Sequence, residues 1–137
     1  MTDRIYALRA LQARIRNSTG ADRELDCLIA CAFLGGEAYH MPDGYNGYRW
    51  VRRCPVDNAV FAPATYTASL DACVALMAAV LPGYEWIRTD SREFGVWKTA
   101  ERERGLIFYP LATDCLTFLD AIFSAAIAEE EAKERIT

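Results

Sequence analysis

The sequence predicts an α+β fold, a layered sandwich in which a mainly antiparallel sheet of about five strands is covered by four helices. Four segments carry apolar residues at helical spacing, and short aromatic and β-branched runs separated by turn residues indicate sequential hairpins. Sequential hairpins pair antiparallel, which disfavours a doubly wound parallel sheet. The predicted element order is α-α-β-β-α-β-β-β-α.

One domain is expected over residues 1–137, because this length suits a single core and no repeat or low-complexity linker divides the chain. Apolar residues make up 53% and charged residues 25%, as in a globular chain, which excludes a disordered or fibrous class. The acidic residues 129–137 are predicted to form a frayed, exposed tail.

Two amphipathic helices are predicted at the start of the chain. The first ends near Gly20, and the second begins near Asp22 and ends at Gly35-Gly36. Their apolar faces consist of Ile5, Leu8, Leu11 and Ile15 in the first helix and of Leu25, Leu28, Ile29 and Phe33 in the second.

Residues 37–51 predict a β-hairpin, with turn signals at residues 42–44 and at Asn46-Gly47. Residues 52–66 contain two prolines and predict a long irregular connection, with at most a short strand at Val60-Phe61.

Thr67 is predicted to cap a third helix, which Pro82-Gly83 ends. Its apolar stripe consists of Leu70, Cys73, Val74, Met77, Val80 and Leu81. Strands are predicted at residues 84–88, 95–99 and 106–109, with a polar turn at 101–105, and the last helix begins near Thr113.

Charge is divided between the two ends of the chain. The segment up to Gly20 is basic, and the segment after Pro110 is acidic. Two interpretations stay open: these are solvated helix faces that lean on each other, or they form a docking surface for a charged partner. The net charge of -4 disfavours a general nucleic-acid binder.

The longest apolar run, residues 72–82, is shorter than the roughly 20 residues that a membrane-spanning helix needs. No amino-terminal signal segment is recognised, so a cytoplasmic protein without a membrane partner is expected. The five cysteines are an odd number and none forms a CxxC pair, so no disulfide framework is predicted.

No catalytic residue, cofactor or metal ion is predicted. Cys27, Cys31, His40 and Cys54 would supply four zinc ligands, but their spacing matches no known zinc motif. His40 is the only histidine that could activate a cysteine, and it has no flanking motif. The chain also lacks a nucleophile elbow, a phosphate loop and a dinucleotide fingerprint, and buried structural cysteines are the favoured interpretation.

One aromatic and basic cluster has the composition of a protein interface, in which Tyr, Trp and Arg are enriched. The cluster lies in the predicted hairpin and directly after it, and it also includes Tyr39. Strand alternation sends Trp50 to one face and Arg49 to the other, so part of the cluster must be exposed. The predicted protein-binding residues are Tyr45, Tyr48, Arg49, Trp50, Arg52 and Arg53.

Several segments together resemble a known family: residues 13–15, 19–26 and 66–72, the Gly-Tyr-x-Trp strand opening at Gly83, and the Ala112-Thr113 start of the last helix. They are similar to the small phage and prophage proteins grouped as the phage ABA sandwich family. The resemblance spans most of the chain and implies a layered α/β domain carried by phages or prophages. It implies no catalytic residues. The family often has an alanine- and proline-rich helix after its last strand, and the last helix departs from this with Cys115, Phe118, Phe123 and an acidic tail.

The leading hypothesis is a non-enzymatic phage or prophage accessory protein that binds a host or phage protein, for example as an inhibitor of a bacterial defence system such as a CRISPR complex. One alternative is a nucleic-acid-binding module, since the predicted order from residue 67 onward is that of a double-stranded RNA-binding domain, although Asp114 stands where such domains need lysines. A second alternative is a small enzyme with an unrecognised site. The apolar share leaves monomer and homodimer open.

Overall fold

The computed structural model describes residues 3–45 and 48–136; the predicted Asn46-Gly47 turn lies outside these ranges. Its elements are α1 (Asp3–Asn17), α2 (Arg23–Leu34), β1 (Glu37–Tyr45), β2 (Tyr48–Arg53), β3 (Val60–Phe61), α3 (Leu70–Val80), β4 (Tyr84–Arg88), β5 (Phe94–Lys98), a 3₁₀ helix (Thr99–Arg104), β6 (Leu106–Phe108) and α4 (Asp114–Ile136). None of the helices in these ranges combines the length and hydropathy needed to span a membrane.

The α+β class is confirmed, but the single sheet of about five strands is wrong. The described strands form two antiparallel sheets of three, in the orders β1-β2-β3 and β4-β5-β6. The first sheet packs against α2 and the second against α4. The two-residue strand β3 pairs only with β2, and Pro63, which has no amide hydrogen, follows soon after it and cannot extend the ladder.

Helix α4 lies at the centre of the molecule and is contacted by α1, α3 and the second sheet. Residues 115–123 are all buried, so this part of α4 is covered on every side. The ring of Phe118 lies 4.7 Å from that of Trp86 and 4.9 Å from that of Phe94, measured between centroids. The ring of Phe123 meets Phe33 of α2 edge to face at 5.2 Å. Aromatic contacts therefore join α4 to the sheet on one side and to α2 on another.

The basic amino-terminal helix leans on the acidic carboxy-terminal helix, as the first of the two charge interpretations expects. Arg16 of α1 contacts the Asp120 carboxylate at 2.9 Å, and Arg9 contacts Glu131 at 3.2 Å. Gln12 is buried between them and donates to Asp120 Oδ1 at 2.9 Å. These charges stabilise the packing of α1 on α4.

The prediction of a frayed tail from residue 129 differs from the structure. Helix α4 continues to Ile136, and Glu129 and Glu130 are only partly exposed. Glu130 pairs with Arg4 of α1 at 3.5 Å, so the acidic residues hold neighbouring elements. The sequence shows a run of carboxylates but not the cations that face them across the fold.

Two details of α3 are also wrong in the sequence prediction. Ser69, not Thr67, caps the helix, because its hydroxyl accepts from the Ala72 amide at 3.2 Å. The second detail is the apolar stripe: Leu70 and Val74 were predicted to belong to it, but they are 39% and 36% exposed. The buried residues of α3 are Cys73, Leu76 and Met77. Nearly every residue of this helix is apolar, so periodicity could not select the inner face.

Thr67 instead ties the chain before α3 to α2 through a buried carboxylate. The amide and the hydroxyl of Thr67 both donate to Asp26 Oδ1 at 2.8 Å. Arg23 Nη1 donates to Asp26 Oδ2 at 2.7 Å, and the Asp26 side chain is 1% exposed. The Thr67 amide and hydroxyl would lose this acceptor in the buried interior if Asp26 were removed.

We therefore expect Asp26→Ala to lower the free energy of unfolding by about 3 kcal/mol, because it takes the acceptor from the buried Thr67 amide and hydroxyl and removes the ion pair with Arg23. Asp26→Asn, which keeps an acceptor oxygen, should cost less. Asp71→Ala on the exposed first turn of α3 is the control and should cost only about 0.5 kcal/mol. Urea denaturation followed by circular dichroism measures all three, and equal losses in Asp26→Ala and Asp71→Ala would contradict this account.

Candidate functional sites

The first sheet carries most of the predicted binding residues. Tyr39 lies opposite Val51, His40 opposite Trp50, and Phe61 opposite Arg52. Directly opposed residues share a face of a sheet. One face therefore carries Glu37, Tyr39, Arg49, Val51 and Arg53, and the other carries His40, Trp50, Arg52 and Phe61.

Two arginines of β2 stack on exposed aromatic rings, one on each face of this sheet. The guanidinium carbon of Arg53 lies 4.9 Å from the ring centroid of Tyr39, and that of Arg52 lies 4.7 Å from the ring of Phe61. Tyr39 and Phe61 remain 43% and 48% exposed as whole residues. Each arginine is also held by a hydrogen bond, from Arg53 to the Glu37 carboxylate at 3.3 Å and from Arg52 to the Gly35 carbonyl at 3.2 Å. We call Tyr39, Arg49, Arg52, Arg53 and Phe61 the hairpin surface.

The predicted binding residues have different environments in the structure. Arg49 is exposed, whereas Arg52 and Arg53 are half-buried. Trp50 is also half-buried, and its ring lies 4.8 Å from that of His40. The side chains of Tyr45 and Tyr48 lie outside the part of the structure that is described.

Phe61 is the residue of this surface that sequence reasoning missed. The short strand at Val60-Phe61 was predicted, but nothing in the sequence indicated that it would pair with β2. The Cys54 amide donates to the Ala59 carbonyl at 2.8 Å and closes the turn that brings β3 back alongside β2.

The cysteines and His40 do not meet in one pocket. His40 is exposed on β1, where its ring packs against that of Trp50 with the two planes tilted by 50°. Within residues 3–45 and 48–136, no three His, Cys, Asp or Glu side chains are grouped so that they could hold a metal ion.

Burial holds the thiols of both close cysteine pairs in the protonated form. It raises the pKa of Cys27 to about 11, with a further contribution from Cys31, one turn along α2. Burial also raises the pKa values of Cys73 and Cys115, whose thiols face each other between α3 and α4. Thiolates are the reactive form of cysteine, so these four thiols are expected to be weak nucleophiles at neutral pH.

A group of ionisable side chains outside the first sheet surrounds Glu129 of α4. The Tyr84 hydroxyl donates to Glu129 Oε1 at 2.6 Å, and Lys98 Nζ lies 2.8 Å from the same oxygen. Tyr84 begins β4 and Lys98 ends β5, and these two residues are cross-strand partners. The group fastens one end of the second sheet to the carboxy-terminal half of α4.

The pKa values in this group all move away from neutrality. Burial and the hydrogen bond to Glu129 raise the pKa of Tyr84 above its usual value. The bond to Glu129 also raises the pKa of Lys98, and the bonds from Lys98 and Tyr84 lower the pKa of Glu129. A general acid or base works best with a pKa near the operating pH. The arrangement therefore suits an electrostatic contact that holds the second sheet to α4 better than it suits proton transfer.

The arginines of α1 are engaged within the molecule. Arg4, Arg9 and Arg16 face carboxylates of α4. Arg14 contacts Asp22 at 3.2 Å and Glu24 at 2.6 Å at the start of α2. A phosphate backbone would have to displace these carboxylates, which counts against nucleic-acid binding through α1.

The Glu129 contacts predict how stability depends on pH. Because folding lowers the pKa of Glu129 below its usual 4.5, its stabilising effect is complete above that pH and is lost as the pH falls through the folded-state pKa. The free energy of unfolding should therefore differ most between wild type and Glu129→Gln at neutral pH, and the difference should shrink in acid. Urea titrations at several pH values measure it. The exposed Glu103→Gln is the control, and a gap for Glu129→Gln that widens in acid would contradict the assignment.

Comparison of the chain with protein-family models, with curated proteins and with solved structures found no match. The resemblance to the phage ABA sandwich family accordingly stays a prediction.

Proposed function

We propose that this protein acts without catalysis, by binding another protein through the hairpin surface. The observation that carries the proposal is the pair of arginine–aromatic stacks on β2, in which Tyr39 and Phe61 stay about half exposed. Solvent-facing aromatic rings beside arginines are the side chains that dominate the binding energy of protein interfaces.

The stacks also reduce the cost of binding. An arginine held by a ring and a hydrogen bond has already lost much of the rotamer freedom that an interface would otherwise remove. Each exposed cation–π contact contributes about 0.5–1 kcal/mol to that ordering. The hairpin surface is thus pre-organised before a partner arrives.

The chemistry of the surface indicates the kind of partner segment that would fit. A stacked guanidinium keeps N–H groups at its edge, and these match the two oxygens of a carboxylate. The neighbouring rings offer apolar contact area. A segment that combines Asp or Glu with apolar side chains meets both requirements.

The family resemblance suggests where that partner would be found. If the chain is a phage or prophage accessory protein, the partner is a host or phage protein, and a component of a bacterial defence system such as a CRISPR complex is the case to test first. This part of the proposal is supported by the resemblance alone.

Because Tyr39 and Phe61 lie on opposite faces of the first sheet, the proposal predicts that at least one of Tyr39→Ala and Phe61→Ala weakens binding to the captured partner by about tenfold or more, as expected for a residue at the centre of an interface. Tagged wild-type protein would be used to capture partners from infected or lysogenic cells, with mass spectrometry to identify them. Binding of the purified partner would then be measured by calorimetry. Tyr109→Ala is the matched control, because Tyr109 is 75% exposed beyond β6 in the second sheet.

Unchanged binding in both hairpin variants, with thermal stability equal to wild type, would overturn the proposal. Binding that Tyr109→Ala abolishes would move the interface to the second sheet. Capture of nucleic acid in place of protein, removed by nuclease treatment, would favour the alternative below.

Nucleic-acid binding is the second candidate, because α3, the antiparallel strands β4 to β6 and α4 follow one another in the order of a double-stranded RNA-binding domain. Asp114 opens α4 and is paired with Arg88 at 2.9 Å and Arg92 at 3.1 Å. That carboxylate would repel phosphate at the helix start. A salt-sensitive gel shift with double-stranded RNA would favour this candidate, and no shift at low salt would remove it.

A further inference from the structure

A cleft of about 250 Å³ opens between the second sheet and the carboxy-terminal half of α4. Its walls come from β5, the 3₁₀ helix, β6 and α4. We call it the α4 cleft; its aromatic and apolar lining consists of Tyr84, Val96, Trp97, Leu106, Ala125, Ala128 and Ala132, Ser124 adds a hydroxyl, and its charged rim consists of Lys98, Glu101, Arg104, Glu129 and Arg135.

The cleft exists because α4 changes character along its length. Large side chains such as Phe118 and Phe123 fill the space around residues 115–123. Further along the helix, the residues that face β5 and β6 are small, among them Ala125 and Ala128. Small side chains cannot fill the gap between helix and sheet, so a space lined by apolar atoms remains.

The rim is locally positive in a protein of net charge -4. It holds three cations and two carboxylates, which leaves a charge of +1. Lys98 is already neutralised by Glu129. The charges of Arg104 and Arg135 are not neutralised in this way, because neither arginine forms an ion pair or a hydrogen bond with the side chains that the structure describes.

We infer that the α4 cleft binds a small organic carboxylate, with its anionic group at Arg104 and Arg135 and a compact apolar body against Val96, Leu106 and Ala128. Arginine presents paired N–H donors that match a carboxylate. A rim charge of +1 suits a monoanion better than a phosphate monoester, which carries about two negative charges. The cleft is smaller than the roughly 300–1,000 Å³ of typical drug-sized sites, so the body is about the size of one ring.

The site is separate from the hairpin surface, and its test is independent of the proposed function. Isotope-labelled protein would be titrated with benzoate, and with benzyl alcohol as an uncharged ligand of similar shape, while amide chemical shifts are recorded. Benzoate should give saturable shifts that cluster on residues 96–98, 104–106 and 125–132, and benzyl alcohol should bind about tenfold or more weakly.

Variants identify the groups responsible. The double variant Arg104→Gln/Arg135→Gln should weaken benzoate binding by about tenfold or more, because it removes both charged donors. Arg92→Gln is the matched control, since Arg92 is an exposed arginine that pairs with Asp114 and does not line the cleft. Ala128→Leu should fill the cleft and abolish binding while the remaining spectrum stays that of the folded protein.

Three results would overturn the inference: benzoate shifts that do not saturate or that scatter over the surface, equal binding of benzyl alcohol, or unchanged benzoate binding in the double arginine variant. The arginine variants change solvent-accessible rim positions, so the benzoate titration of the double arginine variant tests the inference even if Ala128→Leu fails to fold.

Discussion

The burial of α4 on all sides is the constraint on which the rest of the structure depends. Residues 115–123 are all buried, with at most 9% of any residue exposed, and α1, α3 and the second sheet each pack against this helix. An apolar helix of this kind is stable only inside a core, so its neighbours have to surround it. The position of every surface in the carboxy-terminal half of the chain follows from that packing.

Polar contacts fix where the neighbours sit along α4. Asp114 holds the turn between β4 and β5 through Arg88 and Arg92, Asp120 holds α1, and Glu129 holds the other end of the second sheet. These pairs use up much of the opposite charge that the two ends of the chain carry. The charges of α1 therefore serve the fold. On the first sheet Arg53 pairs with Glu37, whereas Arg49 and Arg52 there, and Arg104 and Arg135 at the α4 cleft, form no ion pair with the side chains that the structure describes.

The sequence predicted the α+β class and the positions of most elements, because glycines, prolines and other turn residues mark where these elements end. Gly35 ends α2 with a φ of +84°, as a glycine there indicated, and residues 84–88 form β4 as predicted. Long-range pairing was not predictable: the engagement of Thr67 with Asp26, the pairing of Phe61 with Arg52, and the cations that face Glu129 and Glu130 all join segments distant in sequence. The aromatic and basic composition predicted the hairpin cluster. The α4 cleft could not be predicted in this way, because it depends on which face of α4 packs against the second sheet, and the local sequence pattern does not determine that.

Native-state hydrogen exchange tests the central place of α4 most directly. Because residues 115–123 are enclosed, their amides should exchange only through global unfolding, with the slowest rates in the protein, and protection should continue past residue 129 where Glu129, Glu130 and Glu131 hold their partners. Fast exchange in α4 while α2 and the first sheet stay protected would contradict the account.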